Sequence, residues 1–479
     1  MKILKHIIKN IDYELVNGSL EIPIKKITAD SRNVEENTLF VAIEGTRVDG
    51  HKFITSAIEH GATAVLVSKI DVIPQGITII RVSDTSEAMA YLLAAFYDYP
   101  SKRMTVVGIT GTNGKTTIAT SLYNLFTNLG HKCGLISTVE YRIGEKIFAS
   151  THTTPNAEKL CELFAQMYKE GVQYVFMEVS SHALIQKRTA AIDFDGAIFT
   201  NLTHDHLDYH QTFKNYINAK KILFDSLKKS AFALVNADDK HHKYLLQNTV
   251  AHKYTYALKS LADFKAKIIE KHFEGTLVDI DNTEVWLQFV GTFNVYNLLA
   301  VYGAARLLGK DKQKVLIELS RLKPVRGRFQ IYKSHGKYAI VDYAHTPDAL
   351  QNILKELVQI KSSGAKIITV VGAGGNRDRE KRPKMAAIAA FYSDILILTS
   401  DNPRDEKPED IIADMEKGIH NSSAKYFTIV DREQAIKAAV NFASQGDLIL
   451  IAGKGHETYQ EIQGKKYPFD DMEKVIKYL

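Results

Sequence analysis

The segment MTVVGITGTNGKTT, residues 104 to 117, constrains this chain more than any other. An apolar, β-branched run ends in Gly108, Gly111 and Gly114, and Lys115, Thr116 and Thr117 then open the helical pattern IATSLYNLF. Strand, glycine turn and helix in that order gather backbone N–H groups and a helix N-terminus around one point, which is a cradle for phosphate. Lys115 would meet the outer phosphates of a nucleotide, and the Thr116 hydroxyl would face a Mg²⁺ ion. The common spacing G-x-x-x-x-G-K-[ST] asks for glycine where this chain has Ile109, so the loop is a variant. A chance glycine-rich turn would explain the composition but not the ordered succession of strand, loop and helix.

A loop of this kind hangs from a parallel sheet, and the rest of the chain repeats the alternation that builds one. Strands are predicted at 63 to 67, 174 to 180, 196 to 202, 231 to 238, 337 to 343, 366 to 375, 394 to 401, 426 to 430 and 447 to 455, with helical patterns between. The fold class is α/β with largely parallel sheets: a central phosphate-loop ATPase sheet and a C-terminal Rossmann-like domain. The 479 residues suggest about three domains. Seams at YDYPSKR (97 to 103) and RLKPVRGRFQ (321 to 330) divide the chain into 1–101, 102–329 and 330–479.

Composition removes several classes. With 45% hydrophobic residues the chain buries real cores, and 61 basic against 55 acidic residues leave no basic tail for nucleic acid. Cys133 and Cys161 support neither a disulfide framework nor a zinc site. Lys5, His6 and Lys9 interrupt any signal-peptide core in MKILKHIIKN, and no run approaches the roughly 18 apolar residues of a spanning helix. A cytoplasmic protein without membrane insertion is expected.

Two further clusters carry chemistry. After YVFMEVS come Glu178, Ser180, Ser181 and His182, and after GAIFTNL come His204, Asp205, His206, Asp208 and His210. Glu178 and His206 are the favoured Mg²⁺ ligands, although a transition-metal hydrolase site draws on the same residue types and isolated histidines are often caps. Lys220, beside Lys221 in NYINAKKILF, reads as an ordinary solvated helix lysine. In the last third, Asp342 and His345, then Arg377, then Asp401, Asn402, Pro403 and Arg404, then Gly453, Lys454, His456 and Glu457 follow four strand ends. Guanidiniums suit carboxylates and a carboxylate suits an ammonium, so the set fits a zwitterion; DNPR is also an ordinary Asn-Pro turn.

The ordered motifs TGTNGKTT, MEVSSHALIQKR, TNLTHDHLDYH, GTFNVYN, VRGRFQ, DYAHTPDAL, GGNRDREKRP, DNPR and AGKGHE resemble the Mur ligase family over essentially the whole chain. The resemblance implies a UDP-sugar domain at 1–101, an ATPase at 102–329 and an amino-acid-binding domain at 330–479. It implies that ATP phosphorylates a D-glutamyl carboxylate of UDP-MurNAc-L-Ala-D-Glu and that an amine displaces the phosphate. Carried onto this chain, Gly111, Thr112, Asn113, Gly114, Lys115, Thr116 and Thr117 would hold ATP with Asn294, Asn297, Arg328, Asp342 and His345. Thr116, Glu178, His206 and a carbamylated Lys220 would surround Mg²⁺. Ser31, Thr46, Arg47, Val48, Thr153, Thr154, Ser180, Gln186 and Arg188 would hold the UDP-sugar peptide. Arg377, Asp401, Asn402, Pro403, Arg404, Gly453 and Glu457 would hold the amino acid.

Members that add meso-diaminopimelate resemble this chain in carrying DNPR. Arg404 and Arg377 would pair with the carboxylate that L-lysine lacks, and Glu457 would hold the distal ammonium. Thr203 and His204 stand where many relatives have Ser-Arg or Thr-Arg. A monomer is expected. The alternatives are the same ligase using lysine, a folylpolyglutamate synthase-type ligase, and a phosphate-loop switch protein, which would leave the C-terminal zwitterion set without a purpose.

Overall fold

In the computed structural model the chain is described over residues 1–479 apart from 46, 47, 71–73, 204, 206 and 421–423, together with the side chains of 207 and 208. Of the residues expected at the site, Thr46, Arg47, His204 and His206 lie outside the described residues, as does the side chain of Asp208.

Three main sheets divide the chain. The first has five strands in the order Glu14–Asn17, Thr78–Arg81, Ala62–Val67, Thr38–Val41, Lys26–Thr28, parallel except at the first pair. The second is an eleven-stranded sheet centred on Thr105–Thr110, which runs parallel between Tyr174–Glu178 and Gly196–Phe199. The third has six strands, with Lys337–Asp342, Leu448–Ala452, Ile367–Val371, Ile395–Leu398 and Lys425–Thr428 parallel in that order.

The central strands are near-continuous apolar runs because helices cover both faces. One face packs the helices Lys115–Asn128 and Thr292–Leu307, whose Ile118, Leu122, Leu298 and Val301 share a core with Val107 and Ile109. The other packs Ala157–Lys169 and Phe213–Asp225, whose Leu160, Phe164, Tyr216 and Leu223 meet Val106 and Val175. All the parallel strands therefore end at one edge of the sheet, where their polar sequels gather.

The expectation of largely parallel sheets is met, and antiparallel strands extend the central one at both edges. The central sheet is extended on one side by the antiparallel hairpin Glu140–Ile143 and Lys146–Ala149, and on the other by Phe264–His272, Gly275–Ile280 and Glu284–Leu287, also paired antiparallel. In Glu284–Leu287 one face is wet and the other packed: Val285 and Leu287 are buried while Glu284 and Trp286 are exposed. Lys146–Ala149 is exposed at every position, so no buried face marks it in the sequence.

The bodies touch through specific polar bonds. Glu158, at the start of Ala157–Lys169, accepts from Ala29 N (2.9 Å) and Thr28 Oγ1 (3.1 Å) of the first sheet's edge. Glu356, on the helix Pro347–Ile360, accepts from Thr292 N (3.0 Å) and Lys271 Nζ (3.0 Å) of the central body. Within the third sheet, fully buried Arg432 pairs with Asp471 and donates to Ala452 O at 3.0 Å, which fixes the strand end ahead of Gly453.

Candidate active site

The glycine loop follows the strand Thr105–Thr110 and is pinned from beside it. Thr112 N donates to Asn201 O (2.8 Å), Asn113 N to Asn201 Oδ1 (3.0 Å) and Thr200 Oγ1 to Asn113 O (2.6 Å), so the end of the neighbouring strand sets the loop's curl. Two glycines are required by space as well as by conformation. A Cβ on Gly111 would stand 1.9 Å from Thr200 Oγ1, and one on Gly114, at φ +92°, 2.4 Å from Asn297 Oδ1. Helix Lys115–Asn128 then starts at once, with Thr116 and Thr117 buried.

Beneath the loop lie two amines. Lys115 Nζ donates to Gly111 O (2.9 Å) and Thr112 O (2.8 Å), and Lys220 Nζ donates to the same Gly111 O at 2.9 Å. Lys220 is 1% exposed and its amine stands 4.5 Å over the Tyr216 ring, one helical turn back. The reading of Lys220 as a solvated lysine is thus corrected: the helix Phe213–Asp225 turns this face onto the sheet, and even Lys221 is buried, paired with Asp225 at 2.6 Å. Burial first, and the neighbouring Lys115 second, hold the Lys220 pKa well below the ordinary lysine value. Burial also lowers Lys115, with Glu178 and Asp205 opposing it.

A cleft of about 1020 Å³ opens between this edge and the C-terminal sheet. Its lining includes Thr112 to Thr117, Thr153, Thr154, Glu178, Ser180, Arg188, Asp205, Asn294, Asn297, Arg328, Asp342 and His345. It also takes in Arg377, Asp401, Asn402, Arg404, Gly453 and Glu457 from the other side. The buried Glu178 carboxylate accepts from Thr138 N (2.7 Å) and Thr138 Oγ1 (3.2 Å), which fixes its direction and leaves lone pairs free. Thr154 Oγ1 donates to Glu178 O (2.9 Å), and Arg188 Nη1 to Thr154 O (2.7 Å), so the expected peptide-binding residues are tied to the acid.

The described part of the cleft offers oxygen donors, Thr116 Oγ1 and the carboxylates of Glu178 and Asp205, a set that fits a hard divalent cation. Among the described residues no group of three acids, histidines or cysteines is close enough to hold a metal by itself. His210, one of the expected polar cluster, is buried instead, with Nε2 2.9 Å from Ser181 Oγ.

The linker into the C-terminal body crosses the phosphate loop. Arg328 Nη2 donates to Thr116 Oγ1 (3.0 Å), with its guanidinium 4.6 Å over the Tyr343 ring. Asp342 accepts from Phe329 N at 2.6 Å, and burial raises its pKa to about 6 despite Arg328. His345 faces Tyr343, its Nδ1 2.8 Å from Tyr343 O, and burial followed by Lys381 lowers it to about 4. Asn294 and Asn297 share one helix face and are hydrogen bonded at 3.3 Å.

On the opposite wall, Arg404 Nη1 donates to Gly375 O (2.7 Å), and Asn402 Nδ2 donates to Glu457 Oε2 (2.8 Å). Fully buried Lys454 donates to Asn402 Oδ1 (2.9 Å) and to Glu457 Oε2 (2.9 Å), so one Glu457 oxygen is already engaged. Arg377 is exposed at the rim.

Six expected residues stand apart from the lining: Gly111 and Lys220 meet at the base of the loop, and four more lie elsewhere. Ser31 opens a short helix capped by Asp30, and Val48 is 55% exposed. Gln186 accepts from Arg188 Nε at 2.9 Å, behind the wall, and Pro403 turns the chain under Gly375. Residues that the sequence reading passed over do line the cleft. Lys381, inside GGNRDREKRP, donates to His345 O at 3.0 Å, and burial lowers its pKa. Asp238, also in the lining, accepts from Tyr296 OH (2.6 Å) and from Leu258 N (2.9 Å). The polar end of AFALVNAD was the available signal for Asp238; a lysine among so many charges gave none.

Family models match along the chain in order: Mur ligase family, catalytic domain, over residues 23–97; Mur ligase middle domain over 109–305; and Mur ligase, glutamate ligase domain, over 327–455. A protein of Parabacteroides distasonis named UDP-N-acetylmuramoyl-L-alanyl-D-glutamate--2,6-diaminopimelate ligase is 52% identical over 475 residues, 98% of each chain. One of the same name from Cytophaga hutchinsonii is 50% identical over 472 residues, covering 98% of this chain and 97% of its own. A solved structure of a ligase of that name superposes with a TM-score of 0.71 at 33% identity, covering 99% of this chain and 98% of that one.

Proposed function

The chain belongs to the Mur ligase family, and from that premise we propose how its cleft works as an ATP-dependent ligase of peptidoglycan precursor synthesis. It joins an amine of 2,6-diaminopimelate to the D-glutamyl residue of UDP-N-acetylmuramoyl-L-alanyl-D-glutamate. The observation that carries this reading is that Lys115, Glu178 and Arg404, borne by two sheets, line one cleft.

In this reading the loop from Gly111 to Thr117 holds the ATP phosphates, with Asn294, Asn297, Arg328, Asp342 and His345 about the nucleoside. The D-glutamyl carboxylate attacks the γ-phosphorus, ADP leaves, and the acyl phosphate is then attacked by the amine, which expels phosphate and loses a proton. Lys115 neutralises charge that builds on the transferring oxygens. Thr116, Glu178 and Lys220 as its carbamate would hold Mg²⁺ together with His206, and the ion supplies charge neutralisation between phosphate oxygens when bound. A buried lysine held neutral is the form that adds CO₂, giving R–NH–COO⁻ and a released proton, which turns a cation into an oxygen ligand.

Thr153, Thr154, Ser180 and Arg188 face the sugar peptide, joined by Ser31, Thr46, Arg47, Val48 and Gln186 on domain closure. Arg404 and Arg377 take the second carboxylate of meso-diaminopimelate, while Glu457 takes its ammonium. The protein acts as a cytoplasmic monomer divided at 101/102 and 329/330; no described helix is long and apolar enough to cross a membrane.

The test is a mass-spectrometric product assay with Mg-ATP, the UDP-sugar dipeptide and either meso-diaminopimelate or L-lysine. A tripeptide nucleotide formed with meso-diaminopimelate alone is expected. Product with lysine alone would overturn the assignment of Arg404, and no product with either would overturn the ligase.

A further inference from the structure

The hairpin Tyr459–Ile462 and Lys465–Pro468 belongs to none of the three main sheets, yet it grips the loop that carries Arg404. Arg404 N donates to Glu461 O (3.0 Å) and Gln463 N donates to Arg404 O (2.8 Å), so Arg404, at φ +52°, is bonded to the hairpin on both sides. Glu461 N donates to Asn402 Oδ1 (3.0 Å), and Gln460 Nε2 to Asp401 O (2.9 Å). The side chains repeat the contact, with Glu461 Oε2 3.2 Å from Arg404 Nε.

A guanidinium carries five N–H donors in one plane. Here Glu461 faces Nε and Gly375 O takes one N–H of Nη1 at 2.7 Å, from the other side of the fork. What remains is one N–H on Nη1 and both on Nη2, three donors available to a carboxylate. Arg404 lines the cleft, and its side chain is only 23% exposed.

We infer that Glu461 is a positioning residue for the amino-acid substrate: from the hairpin it fixes the Arg404 guanidinium so that its free edge is presented to the substrate's second carboxylate. This rests on the ligase reading above and adds to it a residue outside the cleft lining. An arginine free to rotate must be ordered when substrate binds, and that ordering weakens binding. The opposite effect is also physical, since Glu461 could compete with the incoming carboxylate, and the two effects differ in sign.

Steady-state kinetics of Glu461→Ala and Glu461→Gln separate them. If Glu461 positions Arg404, Glu461→Ala raises KM for meso-diaminopimelate about tenfold, and Glu461→Gln, which keeps an acceptor in place, raises it about threefold or less. The KM values for ATP and the UDP-sugar dipeptide, and kcat, stay within about twofold in both. In the background of Arg404→Ala, Glu461→Ala has no further effect on that KM. An unmoved or lowered KM for meso-diaminopimelate in Glu461→Ala overturns the inference, as does a parallel rise in all three KM values, which would mark general loosening. An unaltered protein that forms no product overturns the ligase reading and the inference together, whereas an active one with an unmoved variant overturns the inference alone.

Discussion

Lys220 is the side chain whose environment departs furthest from its sequence. In NYINAKKILF it is indistinguishable from Lys221, yet it shares the Gly111 carbonyl with Lys115 beneath the phosphate loop. Resemblance singled it out; charge pattern did not, because what buries it is a sheet assembled from distant segments. With its amine held neutral, ¹³C-bicarbonate should give a carbamate signal in carbon NMR that is missing from Lys220→Arg; the same signal in both proteins would refute the modification. Two histidines give a second expectation. Burial lowers His345 to about 4 and His456 to about 3, the latter helped by Arg328, against an ordinary 6.5. Both are neutral in the folded protein and charged in the unfolded one below pH 6.5, so stability falls as pH drops from 6.5 towards those values. Asp342, raised from 3.8 to about 6, acts oppositely: its ionisation costs stability as pH rises through that window. The histidines outweigh it, and urea unfolding should show on the order of 2 kcal/mol less stability at about pH 5 than at about pH 7. His456→Gln should flatten that slope, and an unchanged slope would remove His456 from the account.

Strands buried on both faces were legible, since Thr105–Thr110, Tyr174–Glu178 and Leu448–Ala452 all lie within expected apolar runs. The loop at 111 to 114 was legible for a different reason, a composition that few other conformations tolerate. The hairpin at 459 to 468 was not, because its exposed strand Lys465–Pro468 has no apolar alternation to read and its role lies in bonds to Arg404. Gly114 offers the sharpest test of the loop. A methyl group there meets Asn297 Oδ1 at 2.4 Å and must adopt φ +92°, so Gly114→Ala carries about 1–2 kcal/mol of backbone strain plus displacement of Asn297. Calorimetry should find ATP binding weakened by about tenfold or more while the fold survives; unchanged ATP affinity would show that the loop does not hold the phosphates in this form.

Among the polar bonds that join the sheets carrying the two walls, Glu356 makes two. Replacing it with Ala leaves Thr292 N and Lys271 Nζ without this acceptor, and a loss of about 1–3 kcal/mol in unfolding free energy is expected. A shift below a few tenths would mean that these two bonds do not hold the walls together. The three-body layout could be read from length and seams, but not which faces meet; that follows from pairs such as Asn113 Nδ2 with Asp348 Oδ2 at 3.1 Å, 235 residues apart. The cleft's divided ownership has a further consequence. The phosphate loop hangs from one sheet and Arg404 from another, so in the proposed reaction the acyl phosphate forms against the first wall while the attacking amine is held by the second. Under that reading the cleft is a two-key lock, in which the amide bond closes only when both walls stand in register.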